Sequence, residues 1–161
     1  MIKVKIKSQN QLKEILNKLR IRGKTIVFTN GCFDLLHYGH VKCLEEAKKL
    51  GDYLIVAVNS DSSVRRLKGK NRPITPEASR ARIIAALESV DFVTIFNEDT
   101  PLNLIKKIRP DVLVKGADWK VKNIVGRDVL ANYGARISTV PLVKGYSTTE
   151  FIKKIAKSFF R

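Results

Sequence analysis

The only two histidines of the chain, His37 and His40, stand three residues apart around Gly39 in the stretch TNGCFDLLHYGHVKCLEEAKKLG, residues 29–51. His40 opens a helical pattern and His37 sits just before it. A helix start offers free amide N–H groups and partial positive charge, both suited to a phosphate. Gly39 lets the backbone approach an anion without a side chain in the way, and imidazoles donate hydrogen bonds to phosphate oxygens. The spacing suits a phosphate cradle with two added donors. Two plainer readings stand beside it. A histidine at a helix start is often a cap or a surface residue. Zinc is the other, but it lacks a third and fourth ligand at useful spacing, since the cysteines fall at 32 and 43. Asp34, in the same loop, either caps backbone N–H groups or helps hold Mg²⁺ alongside phosphates.

Three further segments carry groups that suit phosphate or sugar chemistry. RRLKGKNRP, residues 65–73, is either a solvated charged loop or a lid that brings Lys68, with Lys70 or Arg72, onto phosphates, where a lysine acts as a mobile point charge. Arg80, near the next helix start, is a candidate for a sugar phosphate or another phosphate group. KGADW, residues 115–119, offers Gly116 for close backbone approach and Asp118 for ribose or sugar hydroxyls. Its Trp119, the chain's only tryptophan, either stacks on a ring or packs. In GYSTTEFI, residues 145–152, Ser147 and Glu150 form a capping box before an apolar run.

The elements that position these groups alternate. TIVFT (25–29), YLIVAV (53–58), FVTIF (92–96), DVLVKG (111–116) and ARISTVPL (135–142) read as strands. Between them fall helical patterns at 39–50, after Thr75-Pro76, after Thr100-Pro101 and in GRDVLANYG, with a last helix from about 148 to 158. Residues 8–21 form an amphipathic helix packed on the outside, so residues 1–22 precede a domain spanning 23–161. Parallel strands need helical crossovers, and strands this uniformly apolar are buried on both faces. The expected fold is α/β: a doubly wound sheet of about five parallel strands with helices on both faces. In such sheets ligands bind beyond the carboxyl ends of the strands, where the loops just described fall.

Composition excludes several classes. The chain has 161 residues, 44% hydrophobic and 29% charged, a globular composition. Its apolar runs are too short for a transmembrane helix, and MIKVKIKSQN lacks a signal-peptide core, so a cytoplasmic setting and no membrane partner are expected. Cys32 and Cys43 form no C-x-x-C pair and read as reduced thiols. The net charge of +16 is spread over KVKIK, IKKIR and IKKIAK without interleaved aromatics. Nucleic acid is therefore not the expected partner, and a small polyanionic substrate accounts for part of the excess.

GCFDLLHYGH resembles the signature of the nucleotidyltransferase superfamily that carries an H-x-G-H motif. VAVNSDSSVRRLKGKNRPI, DTPLNLIKKIRPDVLVKGADW and GYSTTEFIKKI extend the likeness to the adenylyltransferase domain of bacterial ADP-heptose synthesis enzymes, over most of residues 24–158. The resemblance implies a Rossmann-like nucleotidyltransferase fold that joins ATP and D-glycero-β-D-manno-heptose 1-phosphate into ADP-heptose and pyrophosphate, with Mg²⁺ arriving on ATP. It implies that His37, His40 and Lys68 act on the triphosphate. It also implies that Cys32 and Phe33 offer backbone amides to a phosphate, and that Ser147, Thr148 and Thr149 lie against the nucleotide phosphates. No kinase half is present, so the kinase is expected on a separate chain. The resemblance admits a homodimer, with residues 8–21 serving either a partner or the domain itself. One departure weakens the rival, a cytidylyltransferase of glycerol 3-phosphate type. Where those relatives carry an arginine, this chain has Leu142 and Val143, with Lys144 the nearest cation. A nucleic-acid-binding module with a decayed nucleotide site is the alternative from another class.

Overall fold

The computed structural model describes residues 2–159. In chain order the elements are α1 (Ile2–Lys5), α2 (Gln9–Ile21), β1 (Ile26–Gly31), α3 (Tyr38–Lys48), β2 (Tyr53–Asn59), α4 (Asp61–Lys68), α5 (Glu77–Ala85), β3 (Phe92–Phe96), α6 (Leu102–Ile108), β4 (Val112–Gly116), a 3₁₀ turn (Val121–Asn123), α7 (Arg127–Ala131), β5 (Arg136–Val140) and α8 (Thr148–Phe159). The strands form one parallel sheet in the order β3-β2-β1-β4-β5. The chain winds outward from β1 to β3, then returns to place β4 on the other side of β1. The strand order therefore reverses between β1 and β4, where an open α/β sheet takes its ligand.

Alternate residues of each strand supply the two cores, as a period of two requires. Ile26, Phe28, Ile55, Ala57 and Leu113 meet Leu12, Leu16 and Leu19 of α2, with Leu104, Ile105 and Ile108 of α6, on one face. Val27, Leu54, Val56, Val58, Val112 and Val114 meet Leu44 and Ala47 of α3, and Ala81, Ile84 and Ala85 of α5, on the other. Ser8 caps α2 in a reciprocal box: its Oγ accepts from the Gln11 amide at 3.3 Å, and Gln11 Oε1 accepts from the Ser8 amide at 3.0 Å. This helix, Gln9–Ile21, packs Leu12, Leu16 and Leu19 onto the sheet.

Three local readings change. Residues 61–68 are helical, so the dense cationic stretch begins as the last turn of α4, whose start is capped by Ser60 accepting from the Ser63 amide at 3.1 Å. The prolines Pro76 and Pro101 occupy the cap positions of α5 and α6 instead of their first turns. Residues 2–5 form a short helix, after which Ile6 bridges Val93 on the outer edge of β3. Lys5 Nζ donates to Leu87 O and Val90 O at 3.0 and 2.7 Å, holding this segment down. Among the described residues no helix is long and apolar enough to cross a membrane.

Candidate active site

A cavity of about 680 Å³ opens at the carboxyl ends of β1 and β4 and is flanked by the starts of α3 and α8. His37 is the residue before α3 and His40 lies in its first turn. Their rings stack, with centroids 3.7 Å apart and 21° between planes. The backbone N–H of His37 donates to Nδ1 of His40 at 3.3 Å. An accepting Nδ1 places the proton on Nε2, which leaves an N–H donor on a ring that lines the cavity. Burial first, then the neighbouring His37 and Lys68, push the His40 pKa down to about 4, which keeps the ring neutral at physiological pH. Burial lowers His37 as well. Its Nδ1 is buried and finds no partner among the described residues. The His37 ring also lies nearly parallel to Phe151 of α8, centroids 5.7 Å apart.

Gly39 separates the histidines for a steric reason. A Cβ there would stand 3.1 Å from Cβ of Tyr146 and 3.2 Å from the His37 ring. Gly116 is similar, since a Cβ would come within 2.6 Å of Asp118 Oδ1 and 2.9 Å of Leu142.

The loop between β1 and α3 is conformationally strained and held from below. Phe33 and Leu35 have positive φ, 48° and 52°, a region that side-chain-bearing residues enter at a cost of order 1–3 kcal/mol each. Asp34 between them is 2% exposed. It accepts from Arg72 Nε at 2.7 Å and from the amides of Ile74 and Thr75 at about 3.0 Å. Burial alone would raise this carboxyl, but the Ile74 and Thr75 amides and the Arg72 guanidinium outweigh it and hold the pKa below its usual value. Thr148 Oγ1 donates to the Asp34 carbonyl at 2.8 Å and ties α8 to the same loop.

Cys32, Phe33, Asp34, His37, Gly39 and His40 line the cavity, joined by Lys68, Gly116, Asp118 and Trp119 and by Ser147, Thr148 and Thr149. Segments more than a hundred residues apart in sequence therefore converge. Lys70, Arg72 and Arg80, three of the sugar-phosphate candidates, are not among the residues that line it. Lys70 is exposed. Arg72 is paired with Asp34. Arg80 is 1% exposed, and its guanidinium donates to Thr75 O, Cys32 O and Asp61 at 2.8, 2.5 and 2.8 Å. It braces the β1–α3 loop from within the core. Asp34 is likewise occupied as a bracket, and among the described residues no group of three His, Cys, Asp or Glu is placed to hold a metal. An open polar depression of about 860 Å³ beside Ser60, Asn97 and Glu98 contains none of the candidate residues.

Sequence reasoning missed Lys115. Its Nζ donates to Asn30 Oδ1 at 2.5 Å and lies 5.5 Å from the centroid of Trp119. A lysine closing the apolar run DVLV was the available signal.

Two helix starts at one cleft, paired imidazoles whose pKa values are both lowered, and the reversal point of a parallel sheet together define a nucleotide-binding α/β protein of the H-x-G-H type. Residues 28–154 match the cytidylyltransferase-like family, and the chain belongs to it. It is 56% identical over 151 residues to the bifunctional protein HldE of Geotalea uraniireducens, covering 94% of this chain and 31% of that protein. With the bifunctional protein HldE of Syntrophotalea carbinolica it shares 53% over 151 residues, again 31% of the relative. The chain thus spans about a third of the length of these relatives. The crystal structure of the lipopolysaccharide core biosynthesis protein from Thermoplasma volcanium GSS1 superposes with a TM-score of 0.61 at 33% identity, covering 78% of this chain and all of that one.

Proposed function

We propose that this chain transfers AMP from Mg²⁺-bound ATP to a sugar 1-phosphate, D-glycero-β-D-manno-heptose 1-phosphate in particular, forming ADP-heptose and releasing pyrophosphate. The observation that carries the reading is the stacked His37–His40 pair at the start of α3, with a neutral His40 that keeps an Nε2–H donor on a ring lining the cavity. An oxygen of the acceptor phosphate attacks the α-phosphorus of ATP. A P–O bond forms there as the bond to the bridging oxygen breaks, and its electron pair leaves with pyrophosphate. The attacking oxygen is already anionic, so no general base is required. The protein's task is to hold two anions together and to stabilise charge as it shifts.

His37, His40 and Lys68 act on the β- and γ-phosphates. The backbone amides of Cys32 and Phe33 and the start of α8 at Ser147–Thr149 receive the remaining oxygens, with Asp118 on ribose hydroxyls and Trp119 against a ring. Mg²⁺ enters on the nucleotide and is held chiefly by its phosphates. That fits a cavity whose loop carboxylate, Asp34, is committed to Arg72, Ile74 and Thr75.

Identity above 50% to proteins named HldE supports the heptose acceptor, as does the lipopolysaccharide-core title of the structural neighbour. The kinase that makes this acceptor lies outside these residues, the setting is cytoplasmic, and a homodimer is compatible with the scheme. A panel of ATP and CTP against heptose 1-phosphate and glycerol 3-phosphate, read by pyrophosphate release, tests the assignment. Turnover with ATP and the sugar phosphate is expected, and turnover only with CTP and glycerol 3-phosphate would replace it with the cytidylyl reading that the family's description suggests.

A further inference from the structure

The reaction above makes no use of Lys115. It is the penultimate residue of β4, and Asn30 is the penultimate residue of β1. These two strands pair only at Val27–Val112 and Phe28–Leu113, whereas β1 and β2 stay paired from Ile26–Tyr53 to Gly31–Val58. Past Leu113 the ends of β1 and β4 therefore part, at the reversal point of the sheet. The hydrogen bond from Lys115 Nζ to Asn30 Oδ1, 2.5 Å, spans the gap.

An ammonium carries three N–H donors, and this is the hydrogen bond that Lys115 makes among the described residues. No carboxylate there forms an ion pair with it. The asparagine oxygen is neutral, and the opposing charge, Asp118, acts from beyond ion-pair distance. Drawing a cation partly out of water without a direct partner is costly, yet this half-buried one sits in the wall of the cavity with donors to spare. The groups that face it are Asp118 beyond β4, Cys43 of α3, Cys32 of the β1–α3 loop and the Trp119 ring.

We infer that Lys115 is a substrate ligand: strapped by Asn30 across the parted ends of β1 and β4, its ammonium takes a phosphate oxygen of a bound substrate. The inference rests on the nucleotidyl-transfer reading for what the substrates are. ATP and the sugar 1-phosphate both supply the oxygen it calls for. The electrostatics agree. Burial, opposed by Asp118 and the two thiols, brings Lys115 down to about 8 in the free protein, and an anion in contact raises it again. The sign follows. Below pH 8 the lysine is already charged and affinity is level. Above pH 8 binding must first restore the proton, so affinity falls and a proton is taken up on binding.

The test is calorimetry of wild type and Lys115→Met with a non-hydrolysable ATP analogue plus Mg²⁺, and separately with glucose 1-phosphate and heptose 1-phosphate, at pH 7 and pH 9. Thermal melts of the free proteins accompany it. For K115M a loss of about tenfold or more is expected for the nucleotide or for the sugar phosphate, the weakened ligand identifying the phosphate held. The free variant should melt no lower than wild type, because a half-buried cation without an ion-pair partner is gone. Wild-type affinity should fall between pH 7 and pH 9 with proton uptake, and that dependence should be absent in K115M. Equal binding by K115M of every ligand the wild type binds overturns the inference and leaves the nucleotidyl-transfer reading standing. So does weaker binding accompanied by a lower melting temperature and an unchanged pH dependence. If K115M does not fold, Lys115→Gln is read in the same way, equal binding of every ligand again being the contrary result. Wild-type protein that binds neither nucleotide nor sugar phosphate overturns both readings together.

Discussion

At the scale of single residues, His40 carries the heaviest demand. Its Nδ1 is committed to the His37 amide, so substitution removes a preorganised donor without opening a core cavity. His40→Ala should lower kcat by roughly 10²-fold or more while leaving the melting temperature near that of wild type; steady-state kinetics and a thermal melt check both halves. His40 also titrates distinctively. Its folded pKa of about 4 lies below the ordinary value of 6.5, so the fold favours the neutral ring. That contribution is complete above pH 6.5 and is lost as pH falls toward 4, amounting to about 1–2 kcal/mol for this partly exposed group. Denaturant unfolding of wild type should weaken over that window, and His40→Gln should weaken less. The place of the histidines at the cavity was legible in sequence because they stand at a helix start just beyond a strand. Arg72 and Arg80 were not, because a charged residue near a helix start reads the same whether it faces substrate or, like Arg80, is enclosed beneath a loop and bonded to Cys32, Thr75 and Asp61.

At the scale of elements, the β1–α3 loop and α3 must be fixed relative to each other for the imidazoles to stack. Gly39→Ala tests this. Added helix propensity would favour the alanine by about 1 kcal/mol, but its Cβ would press on Tyr146 and the His37 ring at 3.1 and 3.2 Å. The expected result is a little-changed melting temperature with kcat reduced about tenfold or more, since displacing a positioned group by an ångström has costs of that order. Unchanged kcat would show that His37 need not hold its place. Asp34→Ala removes the acceptor of a buried pair and frees a loop with two positive-φ residues, so a loss of about 3–5 kcal/mol is expected by chemical denaturation. The strands and most helices could be read from periodicity. The helix at 61–68 was hidden by its composition, RRLK on the solvent side with only Ser63 and Val64 buried, which leaves no apolar stripe to detect.

At the scale of the whole molecule, a parallel sheet wound in two directions brings four loops from residues 29 to 149 around one cleft, and the clamp on the cleft is distant from the helix that steadies it. Leu16, fully buried under the sheet on the α2 side, should when changed to alanine cost about 2–5 kcal/mol and leave kcat of the folded enzyme unaltered, because α2 packs on the face opposite α3. The charge of +16 should draw small polyanions, so substrate KM should rise with ionic strength. A parallel, doubly wound sheet was implied by the alternation of elements, but the strand order, the parting of β1 and β4, and with it the strap from Lys115 to Asn30, depend on pairing, which no single segment encodes.

The most direct measurement is pyrophosphate release by wild type and His40→Ala incubated with ATP, Mg²⁺ and D-glycero-β-D-manno-heptose 1-phosphate. Rapid release by the wild type, dependent on the sugar phosphate and reduced about a hundredfold or more in the variant, is the predicted result. No release by the wild type with any sugar 1-phosphate, or equal release by the two proteins, would contradict the account.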